Sequence, residues 1–136
     1  MRVYIAARFS LKNHAKELAG QLEQIGVTVT SRWLDEAPMP THGQEKFLRE
    51  TAFIDLQDVD AADVLVILSD NLALHDLVPS KWATGSRHFE AGYAFAKGKP
   101  IVCVGDRDNL FYHMPNVVSV KNEAELLRYL SAVEVH

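Results

Sequence analysis

VLVIL, residues Val64 to Leu68, is an unbroken apolar run rich in β-branched side chains. A strand of that kind is apolar on both faces, as strands are in a parallel sheet covered on each side by helical crossovers. Working outward, comparable runs occur at Val3 to Ala6, Val27 to Thr30 and Ile101 to Val104, with a weaker one at Val117 to Val120. The segments between them have helical spacing. The clearest is Ala15, Leu18, Ala19, Leu22 and Ile25, ended by Gly26. A second covers Leu48, Ala52, Asp55, Leu56, Val59 and Ala62, with Asp58 off the stripe. A third runs from Arg87 to Lys97 before Gly98, and a fourth from Glu123 to Val133.

Strands alternating with helices imply right-handed crossovers and a doubly wound α/β fold, here a five-stranded parallel sheet of flavodoxin-like order with helices on both faces. Residues 1–136 are expected to form a single domain, since a chain of 136 residues closes one hydrophobic core without staples. Two polar or Pro-containing stretches, Ser31 to Gly43 and Ser69 to Gly85, are long for this fold class. Such loops are usually lids, binding loops or partner contacts, and ligands of open parallel sheets bind beyond the carboxyl ends of the strands.

Composition narrows the partners. The formal net charge is −4 with the basic residues scattered, so no patch matches a nucleic-acid polymer or an anionic membrane, and a small molecule is expected. Cys103 is the sole cysteine and sits among apolar neighbours, which reads as a buried strand residue in a reducing, cytoplasmic compartment. The opening MRVYIAA has no secretory pattern, and no apolar run approaches the roughly 20 residues of a membrane span.

Several familiar sites have no signature. There is no G-x-G-x-x-G after the first strand, no Walker-type G-x-x-x-x-G-K-[ST], and no H-x-x-x-H pair among six dispersed histidines. The first strand runs into Ala6, Ala7 and Arg8, not into the clustered acids of a phosphoacceptor domain. What remains is a distributed set of polar groups near strand ends. Tyr4 lies in the first strand, where it is either a core aromatic or a site residue. Asp55 falls on the apolar stripe of its helix, so it must be paired, hydrogen-bonded or at the wet edge of a cavity. Glu90 follows Ser86, a potential cap, and at a helix start the dipole would favour the ionised carboxylate. Ser86 and Arg87 are placed to hold an anion there, or are solvated surface groups.

Taken together these residues resemble the nucleoside 2-deoxyribosyltransferase family over most of the chain. The similarity rests on VYIAARFS (Val3 to Ser10), TSRWLD (Thr30 to Asp35), DLQDVDAADVLVI (Asp55 to Ile67), GSRHFEAGYAFAKGKPIVCVG (Gly85 to Gly105) and NLFYHMP (Asn109 to Pro115). It is the ordered set that is specific: a first-strand Tyr, a helix Asp before an A-D-hydrophobic strand, and E-x-G-x-A-x-x-x-G-K-P.

The resemblance implies that Glu90 is the nucleophile, with Tyr4 and Asp55 as its catalytic partners. Substrate contacts are expected from Ala6, Arg8, Trp33, Thr84, Ser86, Arg87 and Asn109, the last serving a neighbouring subunit's sugar site. It also implies no metal, no organic cofactor, and a homo-oligomer, dimer or larger, with shared active sites. The expected activity is transfer of 2-deoxyribose from a deoxynucleoside to another nucleobase. At the position where transferases of the family carry a base-contacting Asp, six before the nucleophile, this chain has Thr84. The related branch of deoxynucleoside 5′-monophosphate N-glycosidases surrounds a phosphate with hydroxyl groups and an Arg, and Thr84, Ser86, Arg87, Arg8 and Ser10 suit that alternative. A second alternative is a nucleotide-sensing module that keeps the pocket without catalysis.

Overall fold

The computed structural model describes residues 1–69 and 85–134. Strand β3 is Val64–Leu68, all of it buried, and it pairs in parallel with β1 (Arg2–Ala6) and β4 (Ile101–Val104). Two short outer strands, β2 (Thr28–Val29) and β5 (Val117–Val120), complete a five-stranded sheet in the order β2-β1-β3-β4-β5. Every pairing is parallel, as the double-faced burial of Val64 to Leu68 requires. The helices are α1 (Lys12–Gln24), α2 (Gln44–Ala61), α3 (Ser86–Ala96) and α4 (Glu123–Glu134). Helix α1 packs with α4 and α2 with α3, one pair on each face of the sheet. No helix among the described residues is long and apolar enough to cross a membrane.

Strand order reverses at β1, which has β2 on one side and β3 on the other. Connections leaving a doubly wound sheet in opposite directions open a crevice at that point, beyond the carboxyl ends of the strands. Short turns of 3-10 helix shape the rim: Phe9–Leu11 after β1, Arg32–Asp35 after β2, and Leu110–His113 before β5.

Three expectations are revised on α2 and β2. The predicted apolar stripe of α2 is buried only near its C-terminal end, at Val59, while Leu48, Asp55 and Leu56 are half-buried and Ala52 is exposed. The first turns of the helix line a cavity instead of the sheet. Asp58, expected off the stripe, is buried because Arg32 neutralises it: the Arg32 backbone N–H donates to Oδ2 at 3.0 Å and its guanidinium approaches Oδ1 to 2.8 Å. Strand β2 is two residues shorter than Val27 to Thr30 because Val27 closes onto Leu22 of α1, and the chain turns after Thr30 into the Arg32–Asp35 segment.

The G-K-P segment after α3 has a local explanation. Gly98 adopts φ +74° and ends the helix, and Lys99 Nζ then donates to the carbonyls of Asp60 at 2.9 Å and Ala62 at 2.6 Å, capping the negative end of α2. A Cβ at Gly98 would meet nothing within 4 Å, so a substitution there is opposed by backbone conformation alone. Gly98→Ala is expected to lower stability by about 1–2 kcal/mol. Gly20, inside α1 with equally open surroundings, should respond in the opposite direction, Gly20→Ala adding about 0.5–1 kcal/mol. Urea unfolding of both variants checks the pair.

Candidate active site

Tyr4 is fully buried in the core, yet its hydroxyl reaches across to α3 and donates to Glu90 Oε2 in a short hydrogen bond. It is therefore a core aromatic whose hydroxyl is held by Glu90. Glu90 is 8% exposed. It stands one helical turn after Ser86, so both side chains share one face of α3 and both line the same cavity. Asp55 enters from α2, and its Oδ1 has no hydrogen-bond partner among the described residues.

Burial dominates the electrostatics. It pushes the Glu90 carboxyl up to about 8; the Tyr4 hydrogen bond opposes this and the Asp55 charge adds to it. Asp55 is raised to about 7, first by burial, then by the charges of Glu36 and Asp58, with Arg32 acting in the other direction. Burial, together with Glu90 and Asp55, drives the Tyr4 hydroxyl far above the ordinary phenol range, so it remains a proton donor. The expectation that a helix start holds Glu90 ionised is corrected here. Gly85, at φ +104°, is the N-cap and Ser86 already the first helical residue, which puts Glu90 beyond the first turn, where the dipole fades and desolvation decides.

The cavity has a volume of about 490 Å³, within the range of small-molecule sites. Of the residues singled out from sequence, Trp33, Asp55, Ser86 and Glu90 line it, and Tyr4 backs it through Glu90. Trp33 is held by its indole N–H, which donates to the Ile5 carbonyl at 2.8 Å. The long Ser31 to Gly43 stretch is indeed a wall of the cavity, through Trp33, Glu36, Pro38 and Met39. Phe47 and Leu48 supply apolar surface from α2. Glu36 and Lys12 also line it and were not anticipated. The available signal for Glu36 was its position three residues after Trp33, one 3-10 turn along the same loop.

The other expected residues are placed elsewhere. Ala6 is fully buried in β1 and its neighbour Ala7 lines the cavity in its place, while Arg8 does not line it. Thr84 lies outside the described residues, as does most of the Ser69 to Gly85 stretch. Arg87 points away from the cavity: its side chain is 6% exposed and Nη2 contacts Asp108 Oδ2 at 2.8 Å, tying α3 to the segment after β4. Asn109 caps the Leu110–His113 turn, its Oδ1 accepting from the Phe111 N–H at 3.0 Å. Beside it Phe111 is exposed but Tyr112 is buried, its hydroxyl 2.6 Å from His88 Nδ1. Among the described residues no group of three or more His, Cys, Asp or Glu side chains is arranged to hold a metal ion.

Fold and site together define an α/β domain with a tyrosine-held carboxylate in a cleft at the switch point of a parallel sheet. Solved structures of the same fold include the 2-deoxyribosyltransferase of the psychrotolerant bacterium Bacillus psychrosaccharolyticus. It is 17% identical with a TM-score of 0.68, covering 95% of this chain and 92% of that one. The CMP N-glycosidase of Clostridium botulinum is 20% identical with a TM-score of 0.54, covering 97% and 99%. At these identities the likeness is one of fold. No protein-family model and no curated protein matches the chain at the sequence level.

Two outcomes follow from this geometry. A carboxyl whose folded value lies above its ordinary 4.5 contributes fully to stability below that pH, and the contribution is lost as pH rises toward about 8. Glu90→Gln keeps the acceptor for Tyr4 without the titration. At pH 8 it should melt at a higher temperature than wild type, and the gap should close toward pH 4. Arg87→Ala breaks a buried pair and should cost about 3 kcal/mol in urea unfolding. Its effect on KM should be alike for a deoxynucleoside and its monophosphate, because Arg87 faces Asp108 and not the cavity.

Proposed function

We propose that this chain is an enzyme that cleaves the N-glycosidic bond of a deoxynucleoside, transferring 2-deoxyribose between nucleobases through a covalent glycosyl-Glu90 intermediate. The observation that carries this reading is the hydrogen bond from Tyr4 to Glu90 in the wall of a nucleoside-sized cavity, with Asp55 on the adjacent helix. A buried carboxylate with one oxygen fixed by a phenol is an oriented nucleophile. Its other oxygen attacks C1′ as the C1′–N bond breaks, through an oxocarbenium-like transition state. The electron pair of that bond leaves with the base, which takes its proton from the Asp55 carboxyl. A second nucleobase then attacks C1′, releasing Glu90 and returning a proton to Asp55, with net retention. With water as the acceptor the outcome is hydrolysis.

Hydrolysis of a deoxynucleoside 5′-monophosphate is the second reading. It is favoured by Lys12 and Ser86, a cation and a hydroxyl on the cavity wall, and by the likeness to a CMP N-glycosidase. Binding without catalysis is disfavoured by the intact set of Tyr4, Asp55 and Glu90. The assembly belongs to the same proposal: Leu110 and Phe111, 74% and 61% exposed next to Asn109, form an apolar contact through which Asn109 serves a neighbouring subunit.

In this mechanism the competent form has Glu90 ionised and Asp55 protonated. Since Glu90 titrates near 8 and Asp55 near 7, kcat/KM should follow a bell with its maximum between those values. Asp55→Asn removes the alkaline fall and leaves a single rise governed by Glu90. An alkaline fall that persists in Asp55→Asn would assign the proton to another group. Glu90→Gln, correctly folded, should lose base release and base exchange by at least about 10³-fold in a chromatographic assay; near-normal turnover would remove Glu90 from the mechanism.

A further inference from the structure

We infer that Glu36 selects the nucleobase in this site, and that it selects bases carrying an exocyclic amino group; this rests on the glycosidic-cleavage reading above. Three elements hold the residue in place. Lys12 Nζ of α1 donates to the Glu36 carbonyl at 2.8 Å, and Thr51 Oγ1 of α2 donates to Glu36 Oε1 at 2.7 Å. One 3-10 turn earlier, Trp33 is locked to the Ile5 carbonyl of β1. The carboxylate of this cavity-lining residue is thus oriented before any ligand arrives, with Oε1 engaged by Thr51.

The donors nearest it are engaged, Lys12 Nζ by the Glu36 carbonyl and the Thr51 hydroxyl proton by Glu36 Oε1, while Asp55 Oδ1 has no hydrogen-bond partner among the described residues. The Trp33 N–H is committed to Ile5, leaving the indole to offer its ring against a flat base, with Met39, Phe47 and Leu48 completing the apolar slot. An oriented carboxylate beside an apolar slot fits a base edge that presents N–H. An amino group donates to Glu36. A carbonyl oxygen in the same place would face a carboxylate and leave both desolvated and unpaired. Cytosine differs from uracil, and adenine from hypoxanthine, by this exchange of amino for oxo, with the matching change at the adjacent ring nitrogen.

These two pairs are therefore the probe. Base release from deoxycytidine, deoxyuridine, deoxyadenosine and deoxyinosine, and from their 5′-monophosphates, is measured as kcat/KM for wild type, Glu36→Gln and Thr51→Val. Affinities of the same compounds for Glu90→Gln, with and without Glu36→Gln, are measured in parallel by calorimetry, so that preference is read without turnover. We expect the amino member of each pair to be favoured by at least about tenfold. Glu36→Gln, whose carboxamide offers donor and acceptor alike, should bring the ratio within about threefold. Thr51→Val, which frees the carboxylate without removing it, should give an intermediate ratio and serves as the second variant if Glu36→Gln fails to fold. Equal use of both members by wild type, or a preference unchanged in Glu36→Gln, overturns the assignment while base release itself keeps the cleavage reading. Selective binding that depends on Glu36, without base release from any compound, supports the assignment and overturns cleavage. Neither binding nor release overturns both.

Discussion

The hydrogen bond from the Tyr4 hydroxyl to the Glu90 carboxylate joins the first strand of the sheet to the helix that follows the central strand. It makes a buried acid tolerable. Without a donor, a carboxylate this enclosed would be protonated through the neutral range; with the phenol in place its titration is brought within reach of neutral pH. In the proposed mechanism the same bond fixes which oxygen is held and which is left to react. Core and cavity are linked through one ring: its apolar body is packed beneath the sheet's helical cover, and its polar tip holds Glu90, which lines the cavity.

The rest of the site is arranged so that further acids crowd this one. Asp55 and Glu36 approach from α2 and the loop after β2, and each raises the proton affinity of its neighbours through burial and like charge. Asp58 is the exception that holds the group together. Its pairing with Arg32, and the Thr30 hydroxyl donating to its carbonyl at 2.8 Å, clamp α2 to the loop that carries Trp33 and Glu36. The proposed mechanism asks this crowded set of carboxyls to supply a nucleophile and a proton source together.

Periodicity made the sheet legible. Strands buried on both faces and helices closed by glycines carry their signals locally, and β1, β3, β4 and β5 fall close to where the apolar runs lie. The site was partly legible for a different reason. Tyr4, Asp55 and Glu90 were found through the ordered motifs, although nothing local in the sequence brings residues 86 positions apart into one hydrogen bond. What escaped was the direction of side chains on neighbouring positions. Arg87 and Ser86 are adjacent, and a helix rotates one toward Asp108 while the other faces the cavity. Asp58 looked peripheral because its burial depends on Arg32, a partner supplied by another element. Glu36 had only its spacing from Trp33 as a signal, since the placement of a loop acid is decided once α1 and α2 have fixed its backbone and its carboxylate.

The central claim is that Glu90 becomes bonded to the sugar. A 2′-fluoro-2′-deoxynucleoside disfavours the oxocarbenium-like transition states, so the glycosyl-enzyme forms slowly and breaks down more slowly still. Incubation with this compound, acid quench, proteolysis and tandem mass spectrometry read the adduct directly. The mechanism predicts one fluorodeoxyribosyl group on the peptide spanning Phe89 to Pro100, localised to Glu90 and absent from Glu90→Gln protein. An adduct on another residue, or base release from the compound with retention and no adduct on Glu90, would contradict it.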